Sequence, residues 1–448
     1  MTLDMTRGRP ARLLLRFAFP LMLSSLLQQC YNLCDSLIVG RFLGAVALTA
    51  TGSAGNLHWF PLNLVCTAIY AYGVALSQRF GARDREGFRR FFAGSLVLGS
   101  TLGAVITVLG CVFAERFLVL LGTPQELVAD AAVYLRVLWG GFLITAWMNL
   151  FSTALMSMGD SRTPLVSLAI SSVANIVLDV VFLAWFGLDI PGAALATVLA
   201  QVLAAAWNFR ELLRKGFALP GKIHFRLRWE ELKELLRLSL PQMLSSAVIN
   251  SGDLLVQSVI NSFGIVFVMG MNAARRYFNL LNVVGYGLEG AVATYVGQNW
   301  GAGDKDRIRR GVRFVAGLGL ATSVVTGAVV CLLARPMILF LLPGESEEVI
   351  RVGTQILRVL AAFLPSLYLL CEFRAAIQGM GNVVYPMLSG FMELAMRVSA
   401  TLVLPRFLGR EGLYFTDPAA WVPTMALMIL GYCLVIKNRQ TQPLSPGI

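Results

Sequence analysis

The sequence predicts an all-α membrane protein of twelve transmembrane helices, arranged as two pseudo-symmetric six-helix lobes. Three observations lead there. Of 448 residues, 57% are hydrophobic and 14% charged, with a mean hydropathy of +0.70. Soluble domains sit near roughly 45–50% and about 25%. The apolar residues fall into runs of about 20, the length that crosses a hydrocarbon core. The chain also repeats itself at an offset of about 221 residues. "PLMLSS" at 20–25 returns as "PQMLSS" at 241–246, and "QRFGARD" at 78–84 as "QNWGAGD" at 298–304. "YLRV" at 134–137 returns as "ILRV" at 356–359, and "MGDSRTP" at 158–164 as "MGNVVYP" at 380–386.

The elements follow in order. The first span, 13–38, enters behind Arg7, Arg9 and Arg12, a flank that suits a retained helix rather than a cleaved leader. Spans at 50–78 and 91–114 flank the basic loop 79–90. A span at 129–156 carries "YLRV", one at 164–186 follows the "MGDSRTP" turn, and one at 190–212 opens with "IPGAALAT". The second half gives 235–261, 266–297, 312–334, 351–377, 384–407 and 417–437. The basic loops at 79–90 and 305–313 occupy equivalent places, so the excess of cytoplasmic Lys and Arg puts both on the inner side. The halves then share one topology, each with an even number of spans, as a parallel repeat. Both termini are expected in the cytoplasm. The expected division is an N-terminal lobe 1–212, a linker 213–234 and a C-terminal lobe 235–448. The linker, "LRKGFALPGKIHFRLRWEELKE", is basic and amphipathic and suits the anionic inner leaflet.

The net charge of +12 lies in short loops between apolar runs, which argues for membrane orientation and against a nucleic-acid partner. The seven cysteines lie in or beside apolar runs without metal-ligand spacing. His58 and His224 are isolated, and no phosphate-binding GxxxxGK[ST] stretch occurs.

Polar residues at membrane depth are the informative ones, because a charge at the bilayer centre costs roughly 2.5–3.5 kcal/mol on insertion scales. In the first span Ser24, Gln28, Tyr31, Asn32 and Asp35 recur at three and four, forming one stripe of a helix. Pro20 can bend that helix. In the fifth span Asn175 and Asp179 share a face; in the sixth, Ala193 and Thr197 do. Asp35, Asn175, Asp179 and Thr197 together offer two carboxylates, an amide oxygen and a hydroxyl. Two adjacent buried carboxylates need a shared proton or a cation between them. Oxygen-only ligands suit Na⁺ and not a transition metal.

The second half does not repeat this set. Val256 stands at the place of Asp35 and Arg397 at that of Asn175, with Glu393 four residues before Arg397 in the favourable order for a helical ion pair. Its own stripe is Ser246, Asn250, Asp253 and Gln257. Arg275 and Arg276 lie in the eighth span, and Glu289 and Glu372 rank below the first-lobe acids. The asymmetry suggests ion coupling in the first lobe and substrate contact in the second.

With these residues in view, "FAFPLMLSSLLQQCYNLCDSLIVGRFLGAVALTATG", "GARD", "MGDSRTP" and "PGAALAT" resemble the multidrug and toxic compound extrusion (MATE) family over residues 10 to 440. The similarity is to the bacterial branch of DNA-damage-inducible protein F. It implies two lobes around a central cleft, a bacterial inner (plasma) membrane location and no enzyme activity. It also implies export of a drug-like cationic or amphipathic compound in exchange for H⁺ or Na⁺, by rocker-switch alternating access in a monomer without a bound cofactor. Asp35, Asn175, Asp179, Ala193 and Thr197 match that branch's first-lobe cation site. If Na⁺ is the coupling ion, Asp35 and Asp179 would ligate it. Substrate contacts would come from Gln28, Tyr31, Asn32, Asn250, Asp253, Gln257, Arg275 and Arg276. Ile249 stands where a NorM-like branch carries an acid. The alternative is a flippase for a lipid-linked sugar or anionic lipid, for which Arg275 and Arg276 speak. A membrane enzyme or receptor lacks any supporting motif.

Overall fold

The computed structural model describes residues 3–217 and 220–437, and among these no strand occurs. The expected C-terminal cytoplasmic segment, 438–448, lies outside the described residues, as do 218–219 of the linker. Helix α1 (Pro10–Gly44) runs directly into α2 (Val46–Gly81). Gly44 breaks the pair with φ 84° and ψ −177°, a backbone state that a side chain disfavours. Gly264, its repeat counterpart, has φ 90° and ψ 168° and separates α7 (Trp229–Ser262) from α8. Between them lie α3 (Arg85–Leu120), α4, α5 (Arg162–Trp185) and α6 (Ile190–Lys215). Helix α4 is a bent pair, Gln125–Gly140 and Phe142–Ser157, at 47°.

The second half follows the same plan. Helix α8 comprises Ile265–Leu281 and Val283–Gly301, and α9 is Lys305–Leu341. Helix α10 is again bent by 47°, between Glu347–Ala362 and Leu364–Gly379. Helices α11 (Val384–Leu408) and α12 (Thr416–Lys437) are joined by the 3₁₀ segment Gly409–Phe415. Among the described residues eight helices are long and apolar enough to cross a membrane, or ten with each bent pair as one span. That figure takes 384–437 as one stretch and leaves out the two shorter pieces of α8. Separating α11 from α12 and joining the α8 pieces gives the expected twelve.

The helices overrun the apolar windows that predicted them. Helix α7 starts at Trp229 rather than near 235, because Glu230 and Glu231 complement the helix dipole in its first turn. Helix α6 ends at Lys215 with Gly216 at φ 62° as its left-handed stop. The non-helical linker is therefore short.

The repeat is visible in matching local devices. Asp84 and Asp304 cap α3 and α9, accepting from Gly87 N at 2.8 Å and Arg307 N at 2.9 Å. Asp160 accepts from the backbone N–H of Arg162 and Thr163, and Asn382 from Val384 and Tyr385. Arg136 Nε donates to the Cys111 carbonyl, and Arg358 Nε to that of Cys331.

Contacts divide the described chain into two units: 3–4 with 23–243, and 5–22 with 244–437. Each division inside a helix falls after "PLM" or "PQM", two residues past Pro20 and Pro241. In the first unit the linker and the start of α7 pack on the "QRFGARD" turn. Arg79 pairs with Glu234 at 3.0 Å, Arg90 with Glu231 at 3.4 Å, and His224 Nε2 meets Glu86 at 3.0 Å. In the second unit the residues before α1 pack on "QNWGAGD" in the same way. Met5, fully buried, donates its N–H to Gln298 and accepts at its carbonyl from Asn299 and Arg307. The repeated motif is thus a seat for the chain that enters each proline-containing helix, α1 or α7.

Candidate functional site

Three helices of the first unit bring the predicted residues together. Asn175 and Asp179 face inward from α5, both 0% exposed, one helical turn apart. The Asp35 carboxyl of α1 neighbours that of Asp179, and Tyr31 neighbours Thr197 on α6. The Asn175 amide satisfies its neighbours when its nitrogen faces Asp179. It then donates to Asp179 Oδ2 at 2.9 Å, while its oxygen accepts from the Thr197 hydroxyl at 3.3 Å and the Thr197 N–H at 3.2 Å. The Thr197 hydroxyl also lies 3.2 Å from the Ala193 carbonyl. Asp179 Oδ1 is buried without a hydrogen-bond partner.

The chemistry of this cluster follows from its inventory. Two adjacent carboxyls need a proton between them, or a cation in its place. Among the described residues no lysine or arginine side chain belongs to the cluster. Its oxygens come from two carboxyls, one amide, one hydroxyl and one carbonyl, a set that fits a proton or a hard monovalent cation. Among the described residues no three His, Cys, Asp or Glu side chains converge as a metal site. Directly after Asp179, Val181–Trp185 forms a π-helical turn, a feature frequent at functional sites.

The rest of the α1 stripe is placed around this pair. Gln28 donates to Asn32 Oδ1 at 3.1 Å; Gln28, Tyr31 and Asp35 are half-buried and Asn32 is exposed. Tyr134 on α4, which sequence reasoning missed, completes the electrostatic surroundings of Asp35, Tyr31 and Asp179. Its signal was slight: a tyrosine in "YLRV" where the repeat has Ile356.

The second unit builds its counterpart differently. Arg397, in the place of Asn175, donates to Asp253 Oδ1 at 2.6 Å, and its Nε lies 3.1 Å from Asp417 Oδ1. Arg275 approaches Asp417 at 3.8 Å. The expected Glu393–Arg397 pair along α11 does not form. Glu393 pairs with Arg374 of α10 instead, because Arg397 reaches across to α7 and α12, where two acids compete for it. Asp417 was not singled out by sequence.

These groups border a cavity of about 280 Å³, walled by Phe278, Tyr286 and Trp421, with Glu289 also on its lining. The Phe278 and Trp421 rings stack at 5.4 Å. Arg275 lines the cavity; Arg276 is exposed and does not. Asn250 donates to Ser246 at 3.5 Å and Gln257 to Asn261 at 2.9 Å, both within α7. Pro20 is buried in the second unit, and Asp35 belongs to the first.

Comparisons with known proteins converge on one family. The MatE family model matches residues 20–181 and 241–400. The chain is 27% identical over 411 residues to "Probable multidrug resistance protein YpnP" of Bacillus subtilis (strain 168), covering 92% of each chain. It is 24% identical over 315 residues to "DNA damage-inducible protein F" of Escherichia coli (strain K12), covering 65% of this chain and 64% of the other. Its fold matches a crystal structure of "MATE in the bent conformation" with a TM-score of 0.90, at 24% identity and 96% coverage of both chains.

Proposed function

The chain belongs to the MatE family of multi-pass membrane transporters, whose members are not enzymes, and from that premise we propose that it is a secondary-active antiporter. It exports cationic or amphipathic organic compounds in exchange for H⁺ or Na⁺ by rocker-switch alternating access. The observation that carries this reading is the Asp35–Asp179 pair, held by Asn175 and Thr197, with no protein cation among the described residues in the cluster.

In this reading the carboxyl pair alternates between two loads. With a proton or Na⁺ shared between them, the two carboxyls no longer repel, and α1 and α5 are held together through the pair. Without the ion, two adjacent carboxylates repel, and the α1 stripe exchanges its partners. Pro20 lies fifteen residues earlier on α1, beside the point where that helix passes between the units. A proline lacks an N–H for the helix ladder, so the bend needed for switching is cheapest there. The organic cation is assigned to the second-lobe cavity, with aromatic walls for its apolar surface and Glu289 for its charge. The excess of basic residues in the loops of one side supports cytoplasmic termini. A plasma-membrane location and a monomeric state are part of the proposal.

The flippase reading loses its support in the second lobe. Arg397 is matched by Asp253 and Asp417, and Arg275 faces Asp417, so the cavity holds no surplus of positive charge for a phosphate.

The test is efflux of a fluorescent cationic dye from liposomes holding the purified protein, under an imposed pH or Na⁺ gradient. Wild type should transport under one of the two, which names the ion. Asp35→Asn should fold, insert and lose gradient-driven transport. Undiminished efflux by that variant would refute the mechanism.

A further inference from the structure

One buried acid plays no part in this scheme. Glu372, in the second half of α10, is 1% exposed, and both of its carboxyl oxygens lack a hydrogen-bond partner. Its carboxyl fills the space over Gly319 of α9, so closely that a Cβ there would collide with it. The same socket exists in the first repeat. Gly99 of α3 corresponds to Gly319, and a Cβ on Gly99 would come within 2.6 Å of the Leu150 side chain, which corresponds to Glu372. One repeat fills this helix–helix contact with leucine and the other with a carboxylic acid.

Packing alone does not require that acid, since leucine serves in the sister lobe. An ionised carboxylate with neither donor nor cation is the costliest group to bury, and a neutral acid is far cheaper. The groups facing it offer no compensation. Glu289 on α8 is of like charge, and Tyr368 and Cys371 neighbour it on α10. Between Arg313 and Cys331, α9 carries no titratable side chain. Arg374 lies two residues away but is committed to Glu393.

We propose that Glu372 is a second proton-binding site, in the second lobe, which holds its proton while α9 and α10 are packed and releases it when that contact opens to water. The step is an acid–base exchange with water: the carboxylic acid gives its proton to solvent and takes one back on closing. Its consequence for transport rests on the antiporter reading; its protonation does not. Under that reading each lobe carries a proton, one at Asp35–Asp179 and one at Glu372.

Two variants test it on the purified full-length protein. Glu372→Leu restores the residue of the first repeat and is expected to fold; Glu372→Gln keeps the shape. Infrared spectra should show protonated-carboxyl absorption that persists into alkaline pH, with a component that is lost in Glu372→Gln and retained in Asp35→Asn. A band unchanged by Glu372→Gln would overturn the assignment. In liposomes under a pH gradient, both variants should move fewer protons per dye molecule than wild type. Wild-type stoichiometry and pH profile in both would make the acid a passive filler and overturn the transport role. If the wild type moves no dye, the antiporter reading fails while the infrared result still decides Glu372.

Discussion

The first and second repeats use the same three-helix junction for different electrostatic ends. In the first, Asn175 and Thr197 steady two acids, Asp35 and Asp179, and no protein cation among the described residues joins them. In the second, Arg397 replaces the asparagine, and its guanidinium sits against Asp253 and Asp417. Thr424 and Ala420 retain the arrangement of Thr197 and Ala193, with the threonine hydroxyl donating to the carbonyl four residues back at 2.7 Å. The scaffold is shared, and the cation is what differs. The second lobe carries its cation covalently and permanently. Under the antiport proposed above, the first takes its proton or Na⁺ from solution.

The strongest way to break this comparison is at Asp179. Asp179→Asn should remove gradient-driven efflux while leaving an assembled protein, because the pair can no longer exchange its proton or cation. Efflux at the wild-type rate would mean that the first lobe is as inert as the second. Next in size is Arg397→Asn, which copies the first lobe onto the second. It leaves the half-exposed Asp253 unpaired and Asp417 with only Arg275 at 3.8 Å, and should cost about 1–3 kcal/mol, less than breaking a fully buried pair. A lowered Tm that recovers on acidification or with added Na⁺ would show the guanidinium acting as a built-in cation. A Tm that ignores both would undo that equivalence.

The helix-capping devices of the two basic loops should behave alike in both repeats. Asp84→Ala and Asp304→Ala each remove one N-cap bond and should cost about 1 kcal/mol, read as matching shifts in Tm. The turn before α5 should differ in its pH response. Burial, the largest single influence, pushes the Asp160 carboxyl up. The Lys215 ammonium, the Thr163 hydroxyl and the Thr163 N–H outweigh it and hold the carboxyl below its usual range. Folded Asp160 therefore binds its proton less tightly than the unfolded chain does. Its contribution is full above the ordinary carboxylate range and is lost as pH falls through the lowered value. Asp160→Asn should lower Tm at neutral pH and have no effect in acid; its counterpart Asn382 offers no such dependence. The smallest effect is at Arg83, at φ 59° where the second repeat has Gly303 at φ 76°. Arg83→Gly should be close to neutral or stabilise by a few tenths of a kcal/mol, as strain relief offsets the greater freedom of unfolded glycine. A loss of 1 kcal/mol or more would show that the Arg83–Asp4 contact outweighs the backbone strain.

Much of the fold was legible because bilayer thickness sets the length of each apolar run, and a repeat states the same pattern twice. The first-lobe site was legible for a similar reason. Helical spacing puts Tyr31 and Asp35 on one face, and Asn175 and Asp179 on another, before any packing is known. The second lobe was not. Glu393 and Arg397 have ideal spacing for a pair, yet each chose a partner on another helix. Local geometry counts the neighbours on a single helix, whereas a long arginine arm reaches acids on adjacent ones. Glu372 was also easy to undervalue, since only its place over Gly319 separates it from an ordinary acid near a helix end.

The sequence by itself determined the number of helices, their repeat and the polar face that holds Asp35. Those depend on period and length, which are local. Tertiary structure alone decided that Arg397 neutralises Asp253 and Asp417, and that Glu372 meets no partner where the other repeat buries leucine. It also decided that the segment before each proline helix packs on the "QRFGARD" or "QNWGAGD" turn. Each of these depends on which helices lie side by side, and in a low-dielectric interior the identity of the neighbour sets the energy of a charge.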